Sequence, residues 1–204
     1  EAFARVWKGD AENDGFNRLI LGADLDWRQV AMLRGYCKYL LQVGVPFSQA
    51  YVEDTFGRYP LLARLLVEVF EARFDPSIGH ASRAQIEDGA HTFAAQLQAL
   101  SAGDEATRTA LQPLLDARGA ERATRYEAAR SALKGLLDRV SSLDEDRILR
   151  SYLGVIDATL RTSYYQRTTS GSLLETISFK FDSARVPDLP KPKPYREIFV
   201  YGPR

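Results

Sequence analysis

The spacing of apolar residues constrains this chain more than any other feature of its sequence. From about residue 26 to about residue 160, apolar side chains recur at intervals of three and four, the period that places them on one face of a helix. After Gly171 the period changes to two, which is typical of half-buried strands. The pattern predicts a mostly α-helical chain, a multi-helix bundle that ends in one or two β-strands.

Three helices are predicted in the first half of the chain. Asp26 is the expected N-cap of the first helix, which Gly44 and Pro46 end. The second helix is expected over about 46–58 and the third over about 61–74. Because the third helix carries a broad apolar stripe, we expect it to be buried on a wide face.

Alanine dominates the segment from about 81 to 140, which has few large apolar residues in its first part. Alanine is the best helix former, so long helices with slim faces are expected here. Helix breaks are predicted near 101–104 and near Gly119. These features predict a long Ala-rich helical hairpin that projects from the body of the protein.

The next helix has the clearest start signal in the chain. Ser142 and Glu145 have the Ser-x-x-Glu spacing of a capping box, and acidic residues occupy the positive end of the helix dipole. The helix is predicted to run over about 143–166.

Two strands are predicted at the C-terminal end, at 176–181 and 197–201, with a proline-rich connector between them that favours polyproline II. An isolated pair of strands is only marginally stable in water. We therefore expect the remaining strands to lie beyond Arg204, so that this end is the start of an incomplete domain.

The sequence thus predicts two regions. Residues 1–170 form a helical domain, whose first part, 1–25, holds a short strand at 2–8 and a loop. Residues 171–204 form the connector and the first strands of the second domain. The chain does not begin with Met, and we expect it to be a piece of a longer polypeptide.

Composition excludes several classes of function. The chain has 27 basic and 27 acidic side chains, so a general affinity for nucleic acid or for an anionic membrane is not expected. No apolar run reaches the roughly 18 residues that a membrane-spanning helix needs. Cys37 is the only cysteine, which excludes an intrachain disulfide and fits a reducing cytoplasm.

Motifs for catalysis are missing from the sequence. It contains no glycine-rich dinucleotide or phosphate loop, no nucleophile elbow and no His-Glu-x-x-His zinc motif. On one helix His80 and His91 would lie roughly 16 Å apart, too far to share a metal, and both are expected to face solvent or lie near a helix cap. Cys37 lies on an apolar helix face, where we expect a buried small side chain and not a nucleophile. We predict no catalytic, cofactor-binding or metal-binding residue in this chain.

Three other segments allow a functional and a structural interpretation, and we favour the structural one for each. Asp144, Glu145 and Asp146 can be metal carboxylates, but a helix start already accounts for them. Residues 161–167 combine arginines with tyrosines, as in nucleic-acid stacking, but cations also favour the C-terminal end of a helix. Residues 187–190 match a Pro-x-x-Pro ligand pattern, but the match is short and common, so a linker is the better interpretation.

Several segments in order carry a resemblance to a known family. They are 14–19 (DGFNRL), 26–28 (DWR), 33–40 (LRGYCKYL), 46–51 (PFSQAY), 70–76 (FEARFDP), 142–150 (SLDEDRILR), 158–162 (ATLRT), 178–183 (SFKFDS), 186–190 (VPDLP) and 197–204 (EIFVYGPR). In these segments the chain resembles the large bacterial NAD-specific glutamate dehydrogenases, in the helical region that leads into their catalytic region. The resemblance fails between about 77 and 141.

The resemblance implies a cytoplasmic, homo-oligomeric enzyme of amino-acid catabolism, with ACT-like regulatory modules before this helical portion and the catalytic domain after it. The implied reaction converts L-glutamate, NAD and water to 2-oxoglutarate, ammonium and NADH. In the family the catalytic Lys and Asp and the cofactor loop lie downstream, so NAD is expected to be bound outside this chain. Lys180 and Arg204 lie where the substrate domain begins, and we expect structural roles for both.

The resemblance leads to a scaffolding hypothesis, in which this portion couples the regulatory modules to the catalytic domain. The alternative is a free-standing helical protein-interaction module without enzymatic activity. An independent enzyme ranks lowest because no site can be assembled from these residues. For the Ala-rich segment, the exposed and mixed charge of long helices suggests contact with a partner or another subunit.

Overall fold

The computed structural model describes residues 7, 9, 12–78, 80, 83–101 and 104–202. Within them lie eight α-helices: α1 (Leu19–Gly22), α2 (Trp27–Gln42), α3 (Gln49–Arg58), α4 (Pro60–Phe74), α5 (Arg83–Leu100), α6 (Glu105–Asp116), α7 (Arg122–Leu137) and α8 (Leu143–Ala158). Three strands follow: β1 (Thr159–Thr162), β2 (Ile177–Phe181) and β3 (Glu197–Tyr201). The prediction of a mostly α-helical chain that ends in β-structure is confirmed.

Local capping fixes the starts of the first helices. The Asp26 carboxylate accepts hydrogen bonds from the backbone N–H groups of Arg28 and Gln29, and the Gln29 side chain accepts one from the Asp26 N–H. This complete capping box confirms Asp26 as the N-cap of α2. Helix α3 begins at Gln49, later than predicted, because Ser48 is its N-cap and its hydroxyl accepts a bond from the first turn.

The Ala-rich segment forms three helices and not the predicted hairpin of two. The breaks fall where they are predicted, between α5 and α6 and between α6 and α7. Helix α7 does not project but packs along α4, and Ala129, Leu133 and Leu137 have no exposed surface. The prediction missed this because the small alanine faces that it treated as exposed let α7 lie close to α4.

Helix α8 is shorter than predicted and ends at Ala158, not near Gln166. Thr159 is both its C-cap and the first residue of β1. The three strands form an antiparallel sheet in the order β1-β2-β3. The expectation of two strands without a partner is therefore wrong. Leu160 caused the error, since its spacing from Ile156 continues the helical period while its backbone is already extended.

The predicted strand at 2–8 lies outside the described residues except for Trp7, whose backbone is helical and does not support it. In the described part of the chain, no helix combines the length and the apolar character needed to cross a membrane.

Candidate functional site

Four aromatic side chains join helix α2 to the sheet. Tyr36 and Tyr39 lie on α2, Phe179 and Phe181 lie on β2, and all four are buried. The ring centroids of Tyr36 and Phe179 are 4.3 Å apart, and those of Tyr39 and Phe181 are 4.2 Å apart in a stacked arrangement. Rings at such distances contribute beyond the apolar area that they bury. We call these four side chains the aromatic junction.

The sequence places these rings by simple periodicity. Residues three apart share one face of α2, and residues two apart share one face of β2. The approach of helix to sheet is close because residue 35 is glycine: a Cβ at Gly35 would lie 3.0 Å from Cε2 of Phe179 and 3.4 Å from Cβ of Tyr201. A larger residue at this position would require the Phe179 ring to shift by a few tenths of an ångström.

The two phenol groups of the junction are fixed by polar partners. The Tyr36 hydroxyl lies 2.9 Å from Oγ1 of Thr159, and the Tyr39 hydroxyl donates to Oε2 of Glu197 at 2.9 Å. Burial raises the pKa of Tyr36, and burial with the adjacent Glu197 carboxylate raises the pKa of Tyr39. Both phenols therefore remain protonated near neutral pH and act as structural groups, not as bases.

A buried arginine ties the start of α2 to the segment after β1. Arg28 donates from Nε and Nη2 to the carbonyl oxygen of Tyr164, at 3.1 and 2.6 Å, and from Nη1 to that of Leu174 at 2.9 Å. Its guanidinium also lies 4.9 Å from the centroid of the Tyr164 ring. Sequence reasoning missed this role. A cation in the first turn of a helix opposes the helix dipole, and that conflict was the available signal.

A buried carboxylate connects α8 to the turn between α3 and α4. Glu145 binds Arg58 and accepts a hydrogen bond of 2.8 Å from the Tyr59 hydroxyl, which raises the pKa of Tyr59. Ser142 caps α8 as predicted, by accepting from the Glu145 N–H. The Glu145 side chain, however, serves this tertiary contact and not the predicted capping box.

The acidic residues at the start of α8 lie in different surroundings. Asp144 is exposed, and Asp146 pairs with Arg150. Among the residues that the structure describes, no three His, Cys, Asp or Glu side chains are grouped as metal ligands.

The histidines and the cysteine lie where they were predicted. His80 and His91 are both exposed to solvent. Cys37 is buried on α2, and burial raises the pKa of its thiol to about 11. A thiol with this pKa is protonated near neutral pH and unsuited to nucleophilic attack.

The segment 161–167 does not end a helix, so the interpretation of its arginines as C-terminal helix cations is wrong. Its tyrosines pack inward: the rings of Tyr164 and Tyr165 lie 5.1 and 6.5 Å from that of Phe70. These rings are engaged in the core and do not form an exposed stacking platform.

The remaining candidates have structural contacts or lie outside the described residues. Pro187 packs so closely on α8 that a Cβ at Gly154 would overlap it, and Leu189 is buried. The Pro-x-x-Pro segment is therefore part of this fold. Lys180 is half-buried in β2, where it pairs with Arg161 and Ile198 across the sheet, whereas Arg204 lies outside the described residues.

The described residues do not fit a dinucleotide cofactor. Within them, none of the three strands leads through a glycine-rich loop into an α-helix, the unit that binds a pyrophosphate. No reaction step through NAD is assigned to this part of the chain.

Two family models match this chain, one on each side of the aromatic junction. Residues 11–76 match the model of "Glutamate dehydrogenase, helical motif 3", and residues 132–204 match that of "Bacterial NAD-glutamate dehydrogenase, catalytic domain". The chain belongs to the bacterial NAD-glutamate dehydrogenase family. The resemblance noted in the sequence is thereby confirmed.

Individual relatives match this chain over its whole length. It is 41% identical to the NAD-specific glutamate dehydrogenase of Halomonas elongata, 38% to that of Pseudomonas aeruginosa and 35% to that of Mycobacterium tuberculosis, in each case over 100% of this chain. It spans about 10% of the length of these curated relatives.

The contacts of the site join residues of one family match to residues of the other. Tyr36, Tyr39 and Arg28 lie in the helical-motif match, and their partners on β2 and after β1 lie in the catalytic-domain match. Residues 77–131, which include α5, α6 and the start of α7, lie between the two matches.

Proposed function

We propose that this chain is a non-catalytic scaffold within an NAD-dependent glutamate dehydrogenase, in which the helical motif holds the beginning of the catalytic domain in place. The reaction of the longer polypeptide is the conversion of L-glutamate, NAD and water to 2-oxoglutarate, ammonium and NADH. The scaffold positions the sheet and couples it to regulatory modules elsewhere in the same polypeptide. We further propose, from the family resemblance, a homo-oligomer that works in the cytoplasm.

The aromatic junction is the observation that carries this proposal. Its members come in equal number from the helical-motif match and from the catalytic-domain match, and they share one buried core. Two segments that share a core do not move independently, because separating them exposes the apolar surface of four aromatic rings. Its phenols have raised pKa values and buried partners, which suits a structural joint and not acid-base chemistry.

The test is a substitution in the junction of the complete glutamate dehydrogenase that contains this chain. Tyr36→Ala is expected to lower both the thermal transition and kcat, while the shape of the pH-rate profile stays unchanged because no proton-transfer group is removed. Tyr195→Ala is the matched control, since Tyr195 is 83% exposed.

Normal turnover and assembly after Tyr36→Ala, with a lowered thermal transition, would contradict the scaffold. A loss of activity with an unchanged thermal transition would instead indicate a direct catalytic role. The purified 204-residue chain is expected to show no glutamate-dependent reduction of NAD.

An immunoblot of source cells tests whether the chain belongs to a longer polypeptide. An antibody against this chain should detect a band far above 22.9 kDa. A band at that mass would favour the alternative, a free-standing helical interaction module.

A further inference from the structure

One face of the three-stranded sheet points away from helix α2. Along β2 the buried side chains alternate with Ser178 and Lys180, which therefore lie on this outward face. The register places Ile198 of β3 beside Lys180, and Val200 beside Ser178, on the same face. On β1, Arg161 pairs with Lys180 and lies on this face as well. We call these five residues the outer sheet face.

The β3 side of the outer sheet face is apolar. Ile198 is 68% exposed and Val200 is 60% exposed. An antiparallel sheet with one face in water normally carries polar residues on that face, as β1 and β2 do here with Arg161, Lys180 and Ser178. Strand β3 departs from this pattern, and it also lies at an edge, paired on one side only within the described residues. Exposed β-branched residues on an edge strand favour contact with another segment.

The other side of the outer sheet face carries two like charges next to each other. Arg161 and Lys180 lie directly opposite one another across β1 and β2. Like charges in such a pair destabilise a sheet. In the described part of the chain neither side chain forms an ion pair or a hydrogen bond, and the nearby Asp182 pairs instead with Arg196 at 3.0 Å. The described residues therefore supply no counter-charge to this pair.

The dimensions of the outer sheet face match those of one helix. Adjacent strands lie about 4.8 Å apart, so Arg161, Lys180 and Ile198 form a cross-strand row roughly 10 Å wide. That width is close to the diameter of an α-helix with its side chains, roughly 10 Å. A single helix can therefore contact the apolar side of the row with one part of its surface and the cationic side with the adjacent part.

We propose that an amphipathic helix of the same longer polypeptide covers the outer sheet face, with an apolar stripe on the two β3 residues and one or more carboxylates beside Lys180 and Arg161. All three strands lie within the catalytic-domain match, and this chain spans only about 10% of the length of its relatives. Both facts favour a segment of the same polypeptide as the cover. The proposal rests on the part of the proposed function that places this chain in a longer polypeptide, but not on the scaffold role.

The first experiment reverses one charge of the outer sheet face in the complete glutamate dehydrogenase. On a face in water, Lys180→Glu would turn a repulsive cross-strand pair into an attractive one and raise the thermal transition. Under an acidic helix the same change brings carboxylates together, so a lower thermal transition is expected. Lys191→Glu is the matched control, since Lys191 is an exposed lysine of the connector, and it should leave the transition unchanged.

The second experiment identifies the covering segment in the wild-type enzyme and does not depend on the folding of a variant. A water-soluble carbodiimide condenses the Lys180 amine with an adjacent carboxylate to an amide, and the reagent takes up the lost water and becomes a urea. Digestion and mass spectrometry should find Lys180 joined to a peptide outside residues 1–204. In that peptide, apolar residues should recur at intervals of three and four.

Four results would overturn the proposal. The thermal transition of Lys180→Glu could equal or exceed that of the wild type, or Lys180 could form no cross-link while exposed lysines react. A cross-link to a residue within 1–204 would show that this chain covers the face itself. A cross-link that doubles the denatured mass would place a second copy there. None of these results bears on the scaffold, which is tested by the turnover of Tyr36→Ala, or on the immunoblot for a longer polypeptide.

Discussion

Two interfaces hold this chain together by different chemistry. The aromatic junction joins α2 to the sheet through four buried rings. The packing of α7 on α4 instead surrounds a charge: Glu68 has no exposed surface, and its Oε1 accepts from Arg118 at 2.9 Å and from Arg125 at 2.8 Å. The Arg118 guanidinium also lies 4.1 Å from the centroid of the Phe93 ring.

The two interfaces contribute to stability in different ways. Burial of aromatic rings stabilises without a titratable charge and depends on close packing. A buried ion pair loses most of its attraction to desolvation, so it adds little stability, yet removing one member is costly. The first interface joins the two family-matched segments. The second includes Arg118 and Arg125, which lie between the matches.

The largest effect is expected at the aromatic junction. Phe181→Ala should lower the free energy of unfolding by about 4 kcal/mol, because it removes a buried ring and leaves a cavity in a packed core. Urea unfolding measures this value. Tyr195→Ala is the control and should leave stability nearly unchanged. A similar loss of unfolding free energy in the two variants would mean that the aromatic junction is not a tightly packed core.

Removing the buried carboxylate should cost somewhat less. Glu68→Gln is expected to lower the free energy of unfolding by about 3 kcal/mol, since two guanidinium groups stay buried without their counter-charge. Glu105→Gln is the matched control, because the Glu105–Arg108 pair is exposed. An unchanged urea midpoint for Glu68→Gln would show that the ion pairs only accompany the packing of α7.

The charged interface should also respond to pH. Burial, together with the charge of Glu68, raises the pKa of Glu71 from 4.5 to about 7. The folded state therefore binds the proton more tightly than the unfolded chain. The stabilisation that Glu71 contributes is fully present below pH 4.5 and is lost as pH rises through 7, by about 2 kcal/mol between pH 5 and pH 7.

Comparison of the wild-type chain with Glu71→Gln isolates this contribution. The variant should lose that part of the pH dependence and be more stable than wild type at pH 8. Identical pH profiles of the urea midpoint would contradict the raised pKa. Glu68→Gln should shift the transition to lower pH, because the neighbouring negative charge is gone.

The smallest expected effect is the loss of one buried hydroxyl. Tyr36→Phe should lower the free energy of unfolding by about 1 kcal/mol, the net value of a typical hydrogen bond. The cost stays small because Oγ1 of Thr159 keeps its bond of 2.7 Å to the carbonyl oxygen of Val155. Tyr195→Phe should show no change in urea unfolding. A loss as large as that of Phe181→Ala would mean that the junction depends on its polar groups and not on its rings.

The sequence predicted the features that depend on local chemistry. Asp26 and Ser142 are helix caps because a short polar side chain satisfies the first N–H groups wherever it occurs. The pattern around Leu160 was misleading, since four residues of strand directly after a helix are too few to show a period of two.

Interactions between distant residues could not be predicted. Glu68 lies in the most apolar helix of the chain, and its two arginines are 50 and 57 residues away. The same holds for Arg28, whose partners lie more than a hundred residues further along. Ala-rich helices give no sign of the surface on which they pack, because their slim faces fit both exposure and close contact.

Helix α8 passes into β1 without a connecting loop, since Ala158 ends one element and Thr159 begins the other. No loop separates the two elements, and the first irregularity in the pairing of β1 with β2 lies between Thr159 and Arg161. A shift of α8 along its axis is therefore passed directly to Thr159, the first residue of β1. Because Arg73 holds the carbonyl groups at this end of α8, a force on that guanidinium reaches the sheet through two elements that are joined directly.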